Sequence, residues 1–159
     1  MKTNLFKFFC VAFMSAALIS CTSTSTSKLI SIEDYTFAST GEGDQLVIVD
    51  DPAVFKRGDA VHLVLQNVGP FKKGDDGLNW FELDMEIIGP DDVILLSKTG
   101  LLGDAGHVAL VNDMAKSPYA TCSTSDLAPG KYKFKLTIYD RIGKGKATQN
   151  AFFTLEDIL

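Results

Sequence analysis

Residues 131–140 read Lys-Tyr-Lys-Phe-Lys-Leu-Thr-Ile-Tyr-Asp, in which polar and apolar side chains alternate almost without a break. Successive side chains of a β-strand point to opposite faces of its sheet, so this period of two indicates a strand with one buried face. Pro129 and Gly130 stand directly before it and favour a turn, and Gly143-Lys144-Gly145 behind it is typical of a hairpin. The stretch therefore predicts a half-buried strand that leads through a hairpin into another strand.

The same period of two recurs from Leu29 onward, and no stretch shows the apolar spacing of an amphipathic helix. Clusters of Gly, Pro, Asp and Asn separate the segments, as turns between strands require. The other candidate strands are residues 29–39, 46–49, 60–68, 79–88, 93–97, 107–111 and 147–155. The sequence thus predicts an all-β domain over residues 29–159, built as a single antiparallel β-sandwich of about seven to eight strands.

Leu127-Ala128-Pro129-Gly130-Lys131-Tyr132 opens the strand that ends at Asp140, and a glycine hairpin then leads to a strand containing Phe153 and Leu155. This arrangement resembles the last two strands of immunoglobulin-like sandwiches, fibronectin type III and polycystic-kidney-disease-like modules included. The resemblance implies that Tyr132 is the tyrosine corner, whose hydroxyl bonds back to the preceding loop. It implies little about function, because this sandwich hosts many unrelated activities.

The resemblance also implies that the strands at 79–88 and 131–140 are antiparallel neighbours in one sheet. The outward positions of the first strand, which begin at Trp80, are mostly acidic, and three outward positions of the second are lysines. Opposite charges directly across a strand pair contribute about 0.2–1 kcal/mol each. The expected register pairs Glu86 with Lys131, Asp84 with Lys133, and Glu82 with Lys135.

The first 21 residues have the composition of a processing signal rather than of a fold. Lys2 and Lys7 give a positive start, and residues 8–19 form an apolar run too short to span a bilayer. Residues 18–21 read Leu-Ile-Ser-Cys, which resembles the lipobox of bacterial lipoproteins. The resemblance implies that residues 1–20 are a signal peptide that is removed and that Cys21 is lipidated. Residues 21–28 would then tether the domain to a membrane.

Thr22, and not an aspartate, follows Cys21. By the same resemblance this favours the outer membrane, with the domain facing the periplasm and the cell surface as the alternative. Loss of residues 1–20 removes two lysines and no acid, which takes the formal net charge from −5 to −7. This acidic balance argues against a nucleic-acid partner, because phosphates demand a basic face.

The sequence carries no recognisable catalytic arrangement. There is no Gly-x-Ser-x-Gly nucleophile segment, and Cys122, the one cysteine left beside Cys21 after processing, has no identifiable base. His62 and His107 lie 45 positions apart, which does not suit a zinc site. We therefore predict a protein that is not an enzyme and has no cofactor, with Cys122 as a small core residue. An alternative is an accessory subunit of an envelope-polymer hydrolase.

Acidic turns offer one candidate metal site. In the immunoglobulin-like order, loop 69–79 and the hairpin at 140–146 lie at the same end of the sandwich. Four oxygen-bearing side chains could meet there, namely Asp75, Asp76, Asn79 and Asp140. Carboxylate and amide oxygens are the ligands that Ca²⁺ prefers. Basic residues in the same loops oppose a cation, and the alternative is a set of solvated turns in which Asp bonds locally.

Aromatic side chains offer a second candidate site. Trp80 and Tyr139 are expected as neighbours on one outer face, with Phe71 in the adjoining loop. Exposed rings beside polar side chains suit sugar stacking or contact with a protein. The alternative is that Phe71 and Trp80 cap the open end of the core.

Together these features favour a non-catalytic, lipid-anchored envelope protein with a binding or assembly role, whose partner is a protein or a glycan. A carbohydrate- or calcium-binding module is the alternative. Loops 69–79, 112–122 and 140–146 are the expected variable surface.

Overall fold

The structure, a computed structural model, describes residues 29–157. Its strands are β1 (Asp34–Thr40), β2 (Leu46–Val49), β3 (Val54–Lys56), β4 (Ala60–Gln66), β5 (Asn79–Ile88), β6 (Ile94–Lys98), β7 (His107–Val108), β8 (Tyr119–Ser123), β9 (Gly130–Asp140) and β10 (Lys146–Glu156). In this range no helix is long and apolar enough to cross a membrane. The predicted signal peptide, the lipidation site Cys21 and the tether lie outside the described residues.

The strands form two sheets that pack face to face. The four-stranded sheet has the order β2-β1-β4-β8; the large sheet has the order β3-β10-β9-β5-β6, and β7 also pairs with β5. This confirms the predicted β-sandwich, with β4 and β8 in one sheet and β5, β9 and β10 in the other, as in an immunoglobulin-like topology. The sandwich is not wholly antiparallel, because β3 runs parallel to β10. With three residues and one buried side chain, Phe55, β3 is too short to show a pattern in the sequence.

The core lies between the sheets and is built from the alternating apolar positions. The fully buried side chains include Phe134, Leu136 and Ile138 of β9 and Val61, Leu63 and Leu65 of β4. They belong to one hydrophobic cluster that spans both sheets. Burying one such side chain stabilises a fold by about 1.5–3 kcal/mol, so the alternation seen in the sequence of β9 is also what holds the sheets together.

The pairing of β5 with β9 follows the prediction in direction and in faces but not in register. Glu86 lies opposite Lys135 and not Lys131, a shift of four residues. The other two predicted pairs are replaced by Asp84 with Thr137 and Glu82 with Tyr139. An even shift keeps every side chain on its own face, so alternation cannot distinguish the two registers.

The physical reason for the observed register lies at Asp140. This residue is placed opposite Phe81, where its carboxylate accepts hydrogen bonds from the backbone N–H groups of Lys72, Ile142 and Gly143. Hydrogen bonds to a charged group contribute about 1.5–3 kcal/mol each. The bonds from Ile142 and Gly143 lie within the turn that follows β9, whereas the bond from Lys72, 68 positions away, forms only in the observed register. Exposed ion pairs contribute about 0–1 kcal/mol each, so the predicted pairs do not clearly outweigh this buried bond.

The prediction that residues 112–122 form a surface loop is wrong for the second half of this range. Tyr119–Ser123 form β8, which pairs with β4. Ala120 and Cys122 point into the core and are 4% and 2% exposed. Small inward side chains leave no strong alternation in the sequence, which is why this strand is hard to recognise. Burial raises the pKa of the Cys122 thiol, which keeps it protonated and suits a core residue.

Two contacts mark the opposite ends of the large sheet. At the start of β9 the hydroxyl of Tyr132 donates a hydrogen bond to the carbonyl of Ala128, the contact that a tyrosine corner makes. At the other end Ile30 packs against the β9–β10 turn at Gly145, where a Cβ would come within 2.8 Å of Ile30 Cγ1. Ser31 also bonds the backbone of Gly69. Residues 30 and 31 thus lie at the end that carries loop 69–79 and this turn.

Candidate functional site on the large sheet

The side of the large sheet that faces away from the core, which we name the outer face, is polar with aromatic residues at its two ends. Its residues are Trp80, Glu82, Asp84 and Glu86 from β5, Lys131, Lys133, Lys135, Thr137 and Tyr139 from β9, and Thr148, Asn150, Phe152 and Thr154 from β10. They alternate with core residues, so the pleat of the strands places them on one surface. Trp80 lies beside the β9–β10 turn, where its carbonyl accepts the N–H of Arg141, and Phe152 lies near the start of β9.

Trp80 is held in place by a histidine that the sequence alone did not connect with it. The strand predicted at 107–111 shortens to β7, which sets His107 directly opposite Trp80. Their rings stack with centroids 5.4 Å apart, and Trp80 remains 40% exposed. His107 Nε2 lies 2.9 Å from Asp76 Oδ2. The N–H of Leu78 and, after it, the charge of His107 hold the pKa of Asp76 below its usual value.

Glu82 is buried although it points outward, because the segment at 100–103 folds over it. Its carboxylate accepts the N–H groups of Leu102 at 2.6 Å and Gly103 at 2.9 Å, and Arg141 Nη2 lies 3.8 Å from Oε2. Just beyond, Gly106 packs so closely on the carbonyl of Phe81 that any side chain there would collide with it. The segment therefore forms a wall along one side of the outer face.

A shallow polar groove of about 80 Å³ lies over β5, between the end of β6 and β9. It is lined by Asp84, Met85, Glu86, Ser97, Thr99, Lys135, Thr137 and Tyr139. Lys135 Nζ is 2.8 Å from Glu86 Oε2, and Asp84 accepts the N–H of Gly100 at 2.9 Å. Burial and a hydrogen bond to Asp84 raise the pKa of Tyr139, so its hydroxyl stays a donor. The groove thus offers hydrogen-bond donors and acceptors within a few ångströms of one another.

Of the four predicted calcium ligands, the structure brings Asn79 and Asp140 to the backbone of Lys72, where both are engaged in hydrogen bonds. Asp140 directs its oxygens to backbone N–H groups, and Asn79 is buried between the carbonyls of residues 71 and 72 and the N–H of residue 110. Asp75 and Asp76 lie on the exposed part of the loop, and Asp76 is turned to His107. Among the described residues no group of three or more His, Cys, Asp or Glu side chains is placed to hold a metal ion. The carboxylate of Asp140 and the amide of Asn79 instead fix the loops at this end of the sandwich.

Of the three predicted surface aromatics, two lie on the outer face. Trp80 and Tyr139 are diagonal neighbours across β5 and β9. Phe71 is only 3% exposed and packs on Phe81 with ring centroids 5.2 Å apart. Phe71 therefore closes the end of the core, as the alternative expectation has it. Phe152 was missed, although the Phe152-Phe153 pair in an alternating strand is itself a signal that one of the two rings points outward.

Comparison of the sequence with protein-family models and with curated proteins gives no match. Among solved structures the chain is similar to the crystal structure of the C-terminal domain of Wzt, with a TM-score of 0.51 and 14% sequence identity, covering 82% of this chain and 75% of that one. At this identity the similarity concerns the fold, and a sandwich of this kind serves many functions. The chain thus shares a β-sandwich architecture with the C-terminal domain of Wzt.

Proposed function

We propose that the chain is a non-catalytic, lipid-anchored envelope protein whose sandwich binds carbohydrate on the outer face of the large sheet. The observation that carries the proposal is the part-exposed ring of Trp80 held at one end of this polar face. A sugar ring offers an apolar face of C–H groups and a rim of hydroxyls. It therefore suits an exposed aromatic ring that has hydrogen-bonding side chains beside it.

Trp80 is positioned without a ligand, which favours binding. His107 stacks on it and Asp76 contacts His107, so little conformational freedom remains for Trp80 to lose when a partner arrives. The groove of about 80 Å³ beside it is far smaller than the roughly 300–1,000 Å³ of a typical small-molecule pocket. A stretch of polymer lying across the sheet fits this open surface better than an enclosed small molecule.

The acids of the groove support binding rather than hydrolysis. A glycosidase places two carboxyl groups on either side of the bond that it breaks. Glu86 forms an ion pair with Lys135, and Glu82 beside the groove is buried with its oxygens on backbone N–H groups. Asp84 alone does not provide the required pair.

The anchoring part of the proposal rests on the lipobox resemblance at residues 18–21. The nine residues from Cys21 to Leu29 reach at most about 30 Å when fully extended. A lipid on Cys21 would therefore keep the sandwich close to the membrane surface, where the glycans of the envelope are within reach.

Trp80 is the only tryptophan of the sequence, so its fluorescence reports on the proposed site directly. Titrating the purified protein with envelope polysaccharides is expected to shift and quench this emission. Trp80→Ala, followed by calorimetry, is expected to weaken binding about tenfold, since loss of an aromatic contact costs about 0.5–1.5 kcal/mol beyond the buried area. Tyr119→Ala is the matched control, because Tyr119 is similarly exposed, at 49%, on the other sheet. Equal loss in both variants, or no binding by the unmodified protein, would contradict the proposal.

A further inference from the structure

A second exposed ring lies at the end of the outer face opposite Trp80. Phe152 is 52% exposed and lies directly across from Lys133 in the β9–β10 pair. Lys131 Nζ stands 5.2 Å from the centre of its ring and Lys133 Nζ stands 6.0 Å from it. Two ammonium groups therefore converge on one accessible aromatic surface.

Phe152 lines three clefts, and two of them also contain Lys131. One cleft, of about 230 Å³, is lined by Gly89, Pro90, Asp92, Lys131, Tyr132, Lys133 and Phe152. The other, of about 200 Å³, is lined by Asp51, Pro52, Ala53, Lys131, Phe152, Phe153 and Thr154. Lys131 and Phe152 are common to both clefts. Each of these two clefts combines an aromatic wall and one carboxylate with lysine side chains, two in the first cleft and one in the second.

The lysines at this site are poorly neutralised within the chain. Lys133 Nζ reaches Asp92 Oδ1 only at 3.4 Å, and the Asp92 side chain is 87% exposed, so this pair contributes little. Lys131 makes no ion pair within residues 29–157. In a chain with a formal net charge of −5, this corner of the outer face is thus able to attract an anion.

We propose that Phe152, Lys131 and Lys133 form a binding subsite for an acidic sugar, a pyranose that carries a carboxylate or phosphate group. The sugar ring stacks on Phe152, and its anionic group pairs with the two ammonium groups. Asp92, which lines the cleft that contains both lysines, accepts the hydroxyls of the same sugar. Because a carboxylate lies beside the two lysines, the site favours an anion that also carries hydroxyl groups over an inorganic anion that carries none.

The subsite rests on the proposed carbohydrate binding and defines the class of glycan. Phe152 lies opposite Lys133, and Trp80 lies at the level of Arg141. Lys133 and Arg141 are eight residues apart, so the two aromatic ends of the outer face lie about 26 Å apart along the strand direction. The outer face between them carries the polar side chains of β5, β9 and β10. An acidic polysaccharide that runs along these strands would contact both aromatic ends, each holding a different part of the polymer.

The position of Phe152 also favours a polymer over the headgroups of the anchoring membrane. Ile30 packs at Gly145, in the β9–β10 turn, and Phe152 lies seven residues further along β10, about 23 Å away. A lipid attached on the N-terminal side of Ile30 would therefore make the end with the lysines the one farther from the point of attachment.

The test compares acidic and neutral polymers on the full mature protein in detergent. Calorimetry with polygalacturonate, which carries carboxylates, and with phosphomannan, which carries phosphates, is expected to give at least fivefold tighter binding to one of them than to neutral dextran. Lys131→Gln is expected to remove this preference by lowering the affinity for the acidic polymer to near that for dextran. Phe152→Ala is expected to weaken the binding of acidic and neutral polymers alike, because it removes the ring on which the sugar stacks. Lys116→Gln, which removes the same charge from an exposed position elsewhere, is expected to change neither affinity.

The two proposals fail in different ways. If binding depends on Trp80 but acidic and neutral polymers bind alike, the acidic subsite is overturned and the carbohydrate-binding proposal stands. If acidic polymers bind through Lys131 in a Trp80→Ala variant as well as in the unmodified protein, the subsite stands and the role of Trp80 is overturned. Lys131-dependent binding to vesicles of three parts phosphatidylcholine and one part phosphatidylglycerol, without binding to either acidic polymer, would overturn the subsite in favour of a membrane surface.

Discussion

Asp140 is 5% exposed and satisfies three backbone N–H groups from two separate turns. Asp140→Ala would leave these donors buried without a partner, at a cost of about 1–3 kcal/mol for each group that water cannot reach. We expect a loss of about 2–4 kcal/mol in the free energy of unfolding, measured by chemical denaturation. Asp75→Ala, in an exposed residue of the same predicted calcium set, is expected to change stability by less than about 0.5 kcal/mol.

The same pair of variants separates a structural role from calcium binding. With the oxygens of Asp140 directed to the backbone, Ca²⁺ is expected to leave the melting temperature of the unmodified protein unchanged. A calcium-dependent rise in melting temperature that both variants abolish would show that these side chains are ligands after all.

His62 is a buried residue of the four-stranded sheet, and its Nε2 and Nδ1 each lie 2.8 Å from a threonine hydroxyl, of Thr40 and Thr121 respectively. Burial lowers the pKa of His62 below the ordinary value of 6.5. The unfolded chain therefore binds a proton more readily than the folded one, so stability falls as the pH drops below about 6.5 towards the lowered pKa. We expect His62→Gln to lose this part of the pH dependence, measured by denaturation at pH 7.5 and pH 5. Equal slopes in the two proteins would contradict the expectation, since His107 is present in both.

At the scale of the elements, the 100–103 segment and β7 depend on Glu82. Removing its carboxylate in Glu82→Ala is expected to loosen this wall and, with it, the stack of His107 on Trp80. We expect the emission of Trp80 to move to longer wavelength and the free energy of unfolding to drop by about 1.5–3 kcal/mol. Glu86→Ala removes only a partly exposed ion pair and is expected to cost at most about 1 kcal/mol. An unchanged emission in Glu82→Ala would show that β7 is held by other contacts.

The individual strands also show which features of the fold the sequence pattern can predict. Where large apolar side chains alternate with charged ones, as in β5 and β9, strand, face and neighbour can all be predicted. Where inward residues are small, as in β8, or the strand has three residues, as in β3, the pattern is too weak to detect. The register of β5 against β9 is set by buried hydrogen bonds of Asp140 and Glu82, whose partners come from turns distant in sequence.

At the scale of the whole molecule, a lipid on Cys21, as proposed, would determine where the sandwich works. We expect the protein purified from a membrane fraction to have the mass of residues 21–159 plus acyl chains, and Cys21→Ala to lack the lipid mass, by intact mass spectrometry. Cys122→Ala is the matched control, because the Cys122 thiol is buried and is expected to carry no lipid. Lipid on Cys21→Ala, or a purified protein without added mass, would contradict the anchoring proposal.

The sequence by itself determined the fold class, because the period of two in the apolar side chains reports directly which side of each strand is buried. It also placed Trp80 and Tyr139 on one outer face. Only the tertiary structure decided which groups surround them, since His107, Arg141 and the 100–103 segment reach this face through pairings and loop paths that no local pattern encodes. For the same reason only the tertiary structure showed that Phe71 packs in the core and that Asp140 accepts hydrogen bonds from backbone N–H groups. A side chain's role is fixed by partners distant in the chain, and these exist only after the sheets have formed.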